Sequence, residues 1–449
     1  MKLKNVLFTA FLLLRTFICN AFPLSEGKVK SVKNQSQERR LYDFVVPRDG
    51  NFREALRVAD SRQDTTLRFR IFIQKGQHIV PTEGETKGGD NVNYPDPRTW
   101  LRTPNVSIIG EDRDATIVQN ITPPATWHNG FNPSSPLEGI GNGDVLIMEK
   151  EAHHTFLGNF TLRNAMEDRT GRNIALHDRA SYTICDNMCL WAYQDTYVSN
   201  KQDGLYYFHQ GVIRGRTDYI CGKGDAFFDE VTFQQCGTAG YICAPSVPRK
   251  YGYVMSHCYI KQETPDVTYY LGRPWGKNTP TASWVSTKVD TPPITRDKKG
   301  YNAWADMGSG GWPARFAEYA TTLTDGTMVS LEGRRSQWTD AQGNVHINKA
   351  ILTAEEASML TRENVMGDWQ PWVDCEPAQL ITSLRIKKGK LTWKHSPNAL
   401  LYAICKDGYI VDFTTNNSYT LPSSSASGNW SIRVANQMGM LSDPIPCTE

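Results

Sequence analysis

The feature that most constrains how this chain can fold is a loose repeat, in which a polar residue precedes a short run of β-forming residues. Five copies occur, and their starts lie 28, 23, 20 and 27 residues apart. The copies are Asn159–Leu162, Asn187–Leu190, Gln210–Ile213, Glu230–Phe233 and His257–Ile260. Short strands that recur every twenty-odd residues without intervening helices are typical of a coil that stacks one rung per repeat. The pattern therefore predicts a parallel β-helix, in which each strand pairs with its equivalent one rung away.

A β-sandwich is the alternative all-β fold for this part of the chain. It would need strands at spacings of about 8 to 12 residues, joined by hairpin turns. An Asn-Gly pair does occur at 129–130, but it lies in a Pro-rich loop that makes a poor hairpin. We expect the coil to end near Asp290. Two helices with capping residues should accompany it, one over Asn51–Ala59 and one over Thr353–Leu360.

The pattern changes at about residue 376, where apolar and polar residues alternate between Lys-Gly, Asp-Gly and Ser-rich turns. This spacing predicts a small β-sandwich. The segment resembles the fibronectin type III-like modules that are appended to secreted bacterial carbohydrate enzymes, and the resemblance implies no chemistry of its own. The chain is thus predicted to be all-β, with a parallel β-helix over residues 41–375 and a sandwich over 376–449.

The N-terminus predicts export. Basic residues precede an apolar run over Val6–Leu14, and small Ala21 follows at a plausible cleavage point. This arrangement is typical of a signal peptide over residues 1–21, and the run is too short to span a bilayer. Residues 22–40 are polar and aperiodic and predict a flexible leader. Removal of residues 1–21 takes away three basic residues and no acidic one, so the formal charge falls from +2 to −1, which does not favour nucleic acid as a partner.

Nine cysteines follow the predicted signal peptide, but no Cys-x-x-Cys or Cys-plus-His zinc spacing occurs among them. The spacing favours buried small hydrophobic residues, with room for one disulfide, over a metal site.

Three separate segments carry residues suited to chemistry. Gln194 and Asp195 are adjacent, Asp218 lies 23 residues after Asp195, and Arg273 lies another 55 residues along the chain. Two carboxylates, an amide and a guanidinium can perform nucleophilic and acid/base chemistry once a fold brings them together. Each also has a structural explanation, namely a turn between rungs for Gln194 and Asp195 and an ion pair for Asp218 with Arg273. For any one of them alone, the structural explanation is favoured.

Taken together, these residues favour a catalytic explanation, because their motifs and order resemble the signatures of pectin methylesterases. The matching stretches, in order, are Gln194–Thr196, Gly215–Gly222 around Asp218, Leu271–Trp275, Arg315–Tyr319 and Leu352–Trp369. The resemblance covers roughly residues 42–373. It implies a right-handed parallel β-helix, which agrees with the repeat, and hydrolysis of the methyl esters of galacturonate without a cofactor or metal.

The resemblance also implies a role for each residue. Asp218 would attack the ester carbonyl, and Arg273 would keep it ionised and aimed. Asp195 would protonate the departing methanol and then accept a proton from water. Gln194 would donate its amide N–H to the oxyanion. Trp275 would offer a flat face to a sugar ring.

Some positions depart from the family pattern. A second oxyanion glutamine is usual upstream of Gln194, but Arg172 and Asn173 occupy that stretch, so the donor is one of these two or is missing. Cys221 replaces an aromatic residue three positions after the nucleophile. The tyrosine usual after Gln-Asp-Thr-Leu is displaced, which leaves Tyr197. We expect Arg172, Asn173, Tyr197 and Tyr219 to contact substrate.

Two other functions remain open at this point. A β-helical pectin glycosidase or calcium-dependent lyase would need a different acidic cluster, for which Asp225, Asp229 and Glu230 could be offered. A pectin-binding protein without catalysis would need none of the carboxylates. The expected partner in each case is a pectic polysaccharide, bound by a monomer in the periplasm or at the cell surface of a bacterium.

Overall fold

The computed structural model describes residues 42–87, 93–121, 143–165, 172–295, 299–422 and 427–447. The predicted signal peptide and flexible leader lie outside these residues, so both stay predictions. Most of the described chain is a coil of three parallel sheets, in which every strand pairs with strands one rung away. The predicted right-handed parallel β-helix is confirmed.

Sheets 1 and 2 hold the strands on either side of the repeat's polar residue. Sheet 1 has ten strands: β1 (Phe44–Val46), β2 (Phe69–Ile73), β7 (Val106–Gly110), β10 (Phe156–Gly158), β13 (Thr183–Asp186), β16 (Leu205–His209), β19 (Asp225–Asp229), β22 (Tyr253–Ser256), β25 (Thr281–Val285) and β27 (Arg315–Tyr319). Sheet 2 has nine: β3 (Gly76–Ile79), β8 (Thr116–Gln119), β11 (Thr161–Arg163), β14 (Cys189–Trp191), β17 (Val212–Gly215), β20 (Thr232–Gln235), β23 (Tyr259–Gln262), β26 (Lys288–Val289) and β28 (Thr322–Leu323).

Sheet 3 completes each rung and carries the residues singled out for chemistry at its strand ends. Its seven strands are β6 (Thr99–Leu101), β9 (Leu146–Met148), β12 (Leu176–Asp178), β15 (Tyr197–Ser199), β18 (Thr217–Gly222), β21 (Gly240–Pro245) and β24 (Tyr269–Gly272). Two antiparallel hairpins stand outside the sheets: β4 (Glu85–Lys87) with β5 (Asn93–Pro95), and β29 (Gln337–Thr339) with β30 (Val345–Ile347).

The repeat seen in the sequence is the turn between sheets 1 and 2. The polar residue that starts each of the five copies has a left-handed φ, between 49° and 60°. This conformation bends the chain sharply between two strands, and polar residues such as Asn adopt it more readily than β-branched ones. Ser286 and Ala320 continue the same column with φ of 53°. The coil therefore runs to Leu323, and the expected end near Asp290 is wrong because the residue type at this turn drifts away from the pattern.

The coil's interior is a column of stacked apolar side chains, with aromatic rings at several levels. The rings of Phe208 and Phe228 stack at 4.7 Å between centroids on neighbouring rungs, and Tyr197 meets Phe208 edge-on at the same distance. Such a core is continuous along the axis. It holds the strands of sheet 3 at a regular spacing, one rung apart.

In the part of the chain that the structure describes, four helices flank the coil. α1 (Phe52–Asp60) begins at the predicted cap Asn51, which forms a capping box with Glu54. α2 (Ala354–Ser358) begins with a second box between Thr353 and Glu356, also as predicted. α3 (Arg362–Met366) and α4 (Pro371–Asp374) follow it. Apolar residues from this second group cover the outer face of sheet 1.

The C-terminal strands form two antiparallel sheets around a separate apolar core, as the alternating pattern predicts. One sheet holds β31 (Thr382–Lys387), β32 (Lys390–Lys394) and β35 (Ser418–Thr420), and the other holds β34 (Tyr409–Thr414), β33 (Leu401–Lys406), β36 (Trp430–Ala435) and β37 (Ile445–Pro446). This small sandwich packs on the first rungs of the coil. There the buried Tyr42 donates its hydroxyl to the Gly439 carbonyl at 2.6 Å, and the Arg70 guanidinium donates to the Gln437 carbonyl at 2.9 Å.

Two further sequence expectations concern the membrane and the thiols. None of the helices among the described residues is long and apolar enough to cross a bilayer. Among the described residues, seven cysteines have buried thiols: Cys185, Cys189, Cys221, Cys243, Cys258, Cys375 and Cys405.

Candidate active site

The site lies on the outer face of sheet 3, where neighbouring rungs bring distant segments side by side. Gln194 and Asp195 lie before β15, separated from it by Thr196, Asp218 is the second residue of β18, and Arg273 follows β24. Because β15, β18, β21 and β24 are consecutive neighbours in this sheet, residues 23 and 55 positions apart in sequence meet in one place. Gln194 also forms an isolated parallel bridge with Thr217.

The backbone turns both carboxylates outward. Asp195 and Asp218 have left-handed φ values of 57° and 51°, a conformation that is uncommon for non-glycine residues and clusters at functional sites. At Asp218 the register of β18 against β21 shifts between Thr217 and Ile220, which is the signature of a bulge that re-aims a side chain.

The same bulge decides where the neighbouring tyrosine goes. Tyr219 and Ile220 both point into the coil's core, although consecutive strand residues ordinarily alternate. Tyr219 and Tyr197 have no exposed surface. The expectation that these two tyrosines contact substrate is therefore wrong, since both are packing residues of the interior.

Asp218 is held by a two-pronged contact with Arg273. The guanidinium Nε donates to Oδ1 at 2.8 Å and Nη2 donates to Oδ2 at 2.7 Å. Arg273 in turn lies over the ring of Tyr241 at 3.9 Å, a cation–π contact that fixes the plane of the fork. Burial works against the charge on Arg273, but hydrogen bonding and the charge of Asp218 outweigh it and raise the pKa of Arg273. The pair fixes the orientation of the Asp218 carboxylate.

The environment of Asp195 disfavours the charged form of its carboxyl group. Only 7% of the residue is exposed, and its nearest cation is Arg172, whose Nε lies 3.4 Å from Oδ2. Burial, and then the negative charge of Asp218, raise the pKa of Asp195 to about 8. A carboxyl group with this pKa is mostly protonated at neutral pH. The site therefore holds one carboxylic acid beside one carboxylate, the arrangement that separates an acid from a nucleophile.

Both groups open into a cavity of about 160 Å³. Six of the predicted site residues line it: Arg172, Gln194, Asp195, Asp218, Arg273 and Trp275. Sequence reasoning did not find Met307 or Ala244, which complete the lining with Cys221. Met307 lies in an irregular loop with no motif. Ala244 could have been found from the register, since it is the direct partner of Cys221 one rung away.

Cys221 forms part of the cavity floor. Burial and the charges of the two nearby aspartates raise the pKa of its thiol, so it is a neutral group with little nucleophilic character. It is paired with Val198 and Ala244 on the adjacent rungs, so small side chains form this part of the lining.

Asn173 lies behind the cavity and is 1% exposed. Its side-chain oxygen accepts the backbone N–H groups of Tyr193 and Gln194 at 3.1 and 2.8 Å. The expectation that Asn173 contacts substrate is therefore wrong, because its carbonyl is used to shape the turn that presents Gln194. Arg172 is the candidate that remains for the second donor.

Gln194 is expected to be a donor whose loss lowers the rate without disturbing the fold. Replacing Gln194 with alanine removes a side-chain N–H from the cavity lining, and such a loss elsewhere reduces kcat by about 10²-fold. The backbone bonds from Asn173 persist in the variant, so the thermal unfolding temperature should stay unchanged. The measurement is kcat and KM for ester hydrolysis, with Gln342→Ala, which changes an exposed turn residue, as the matched control. A raised KM with unchanged kcat would contradict the donor role.

The fold and the site together define a right-handed parallel β-helix protein with a paired-carboxylate cavity. The pectinesterase family profile matches residues 102–364, more than half of the chain. The chain belongs to the pectinesterase family.

Individual relatives are distant. Pectinesterase A of Dickeya dadantii (strain 3937) is 29% identical over 322 residues, which cover 61% of this chain and 80% of that protein. Probable pectinesterase/pectinesterase inhibitor 19 of Arabidopsis thaliana is 26% identical over 258 residues, which cover 54% of this chain and 43% of that protein. The chain spans about half the length of several of the curated Arabidopsis relatives that it matches.

Solved structures share the fold. The pectin methylesterase from carrot has a TM-score of 0.54 at 16% identity and covers 75% of this chain and 96% of its own. The pectin methylesterase from Aspergillus niger has a TM-score of 0.52 at 17% identity and covers 77% of this chain and 99% of its own. At these identities the likeness concerns the β-helix itself.

Proposed function

We propose that this protein hydrolyses methyl esters of galacturonate in pectin and releases methanol through an aspartate nucleophile. The observation that carries the proposal is the pairing of Asp218, aimed by Arg273, with a protonated Asp195 in one open cavity. The substrate is the ester of homogalacturonan or of a pectic side structure.

The chemistry runs in two balanced steps. In the first, an Asp218 oxygen bonds to the ester carbonyl carbon, the C–O bond to the methoxy group breaks, and Asp195 gives its proton to the leaving methanol. This leaves the sugar acyl group on Asp218 as an anhydride and Asp195 as a carboxylate. In the second step, Asp195 takes a proton from water while the water oxygen attacks the acyl carbon. Asp218 leaves as a carboxylate, and the free acid of the sugar departs.

The oxyanion formed in each step needs donors that are already in place. Gln194 and Arg172 both line the cavity, and we assign them this role. Arg172 would bring a positive charge as well as N–H groups to the developing oxyanion. Trp275, which also lines the cavity, offers the face on which a sugar ring can stack.

The rest of the chain fits an exported carbohydrate enzyme. We assign residues 1–21 as a signal peptide, 22–40 as a leader, 41–375 as the esterase domain and 376–449 as a fibronectin type III-like module. Three strands facing four, in the orders β31-β32-β35 and β34-β33-β36-β37, support the last assignment. We infer a monomer in the periplasm or at the surface of a bacterium. The partner is a pectic polysaccharide, in line with a pectin methylesterase structure that was solved with a hexasaccharide.

The calcium-lyase alternative finds little support in the acids offered for it. Asp225 accepts from the Arg249 guanidinium at 3.0 Å and from the Gly252 amide at 2.7 Å, and Asp229 accepts from the Tyr207 hydroxyl at 2.8 Å. All three acids lie on or next to β19 of sheet 1, away from the cavity.

Product analysis on highly esterified pectin tests the proposal. We expect the purified protein to release methanol, to leave the chain length of the polymer unchanged and to be inactive on fully de-esterified polygalacturonate. Unsaturated chain ends would instead identify a lyase, and new reducing ends a glycosidase. Binding to pectin without any product would leave a non-catalytic protein. Defined pectic fragments in the same assay would identify the preferred polymer.

A further inference from the structure

Three donor groups of different chemistry meet at the edge of sheet 1, away from the catalytic cavity. Asp186 ends β13, His209 ends β16, and Cys375 follows α4. One donor atom from each lies within 4.8 Å of the other two, the one such group of three among the described residues. Asp186 and His209 are direct partners in the register of neighbouring rungs, and the Asp186 Oδ1 to His209 Nδ1 distance is 2.7 Å. The spacing of 186, 209 and 375 in the sequence has no recognisable metal pattern.

We propose that Asp186, His209 and Cys375 bind a zinc ion that fastens the segment after α4 to the coil. Carboxylate, imidazole and thiolate are the three ligand types that zinc takes in proteins, and a mixed oxygen, nitrogen and sulfur set favours zinc over magnesium or calcium. Donors around one tetrahedral zinc at about 2.0 to 2.3 Å lie roughly 3.3 to 3.7 Å apart. Since the three donor atoms already lie within 4.8 Å of one another, shifts of about an ångström would bring them to these separations.

The cavity around these three residues is open and carries negative charge, so a cation can reach them. The three residues line a cavity of about 540 Å³ between the coil and the sandwich. Five acidic side chains line this cavity against two arginines, Arg113 and Arg433. The lining therefore carries an excess of negative charge, which concentrates cations. The open volume leaves a position for water as the fourth ligand.

The site would act on stability and not on the ester chemistry. Cys375 lies between α4 and β31, where the chain leaves the coil, whereas Asp186 and His209 belong to two rungs of sheet 1. A zinc ion would therefore join the junction to the coil at a point where the sandwich also packs, at Asn436 and Met440 in the same cavity lining. Ligands that come together only in the folded state convert binding energy into folding energy. The catalytic cavity lies on sheet 3 and shares no residue with this one.

Zinc content and thermal stability of the untagged, full-length protein test the proposal. We expect about one zinc per chain after dialysis, as measured by elemental analysis, and a higher unfolding temperature with zinc than with a chelator. Cys375→Ser and His209→Gln should each lower the retained zinc to below about a tenth per chain and abolish the shift. His257→Gln, which changes a histidine at a similar turn, is the matched control and should keep both. Magnesium and calcium should produce no shift.

Cobalt adds a readout that is specific to the thiol. Cobalt(II) bound to Cys375 should give a thiolate-to-metal charge-transfer band in the near ultraviolet, and Cys375→Ser should lose it. Methanol release from esterified pectin should be unchanged in Cys375→Ser, which shows that the variant is folded and separates this proposal from the proposed function. Retention of zinc in the double variant Cys375→Ser/His209→Gln, or the absence of zinc and of any shift in the wild type, would overturn the assignment.

Discussion

Replacing Asp218 with alanine is expected to lower kcat for methanol release by at least about 10⁴-fold, because it removes the group that forms the bond to the substrate. Among the described residues that line the cavity, Asp218 is the one carboxylate aligned by two guanidinium hydrogen bonds. Asp195 cannot replace it, since its raised pKa keeps it mostly protonated. The measurement is initial rate on highly esterified pectin, with single-turnover rates to isolate the chemical step.

Two variants make the Asp218 result interpretable. Asp218→Asn keeps the shape of the side chain and should be as inactive as Asp218→Ala, because an amide cannot act as the nucleophile. Asp203→Asn changes an exposed acid in the turn before β16 and should behave as wild type. Circular dichroism should show all three folded. Activity of Asp218→Ala within a factor of about ten of the wild type would remove the aspartate-nucleophile mechanism.

Replacing Asp195 with asparagine is expected to lower kcat by about 10³-fold, because the variant has no proton to give to the methoxy group and no base for the second step. In the wild type, kcat/KM should fall as pH rises through about 8, since only protonated Asp195 can act in the first step. The variant's small residual rate should lack this fall. A wild-type rate that keeps rising well above pH 8 would contradict the acid role.

The same substitution should increase stability in a pH-dependent way. Because the folded protein holds the Asp195 pKa at about 8, above that of an unfolded chain, the folded state binds the extra proton between about pH 4 and pH 8. Wild-type stability is therefore lost, relative to Asp195→Asn, as pH rises across that window. Unfolding temperatures of the two proteins should be close near pH 4 and should differ most above pH 8, with Asp195→Asn the higher. Equal temperatures across the range would show that Asp195 is not buried as an acid.

The β-helix was predictable because its signal is local and repeated. Each rung needs a left-handed turn, and Asn159, Asn187 and their equivalents mark it in the sequence. The helix caps at Asn51 and Thr353 were predictable for the same reason, since capping involves residues three apart. The end of the coil was not predictable from this pattern, because Ala320 occupies the turn without a polar side chain.

Some features of the candidate active site were likewise predictable from the sequence, and others were not. The sequence by itself determined which groups the site holds, because Gln194, Asp195, Asp218 and Arg273 stand in recognisable motifs. Only the tertiary structure decided that Tyr197 and Tyr219 are buried. At Tyr219 the cause is the bulge at Asp218, which interrupts the alternation of the strand.

The protonation of Asp195 and the meeting of Cys375 with Asp186 and His209 also depend on the tertiary structure. Both arise from burial and from distances through space between segments that are far apart in the chain. Residue spacing along the sequence specifies neither, because the electrostatic free energy of a group depends on what the folded chain places around it.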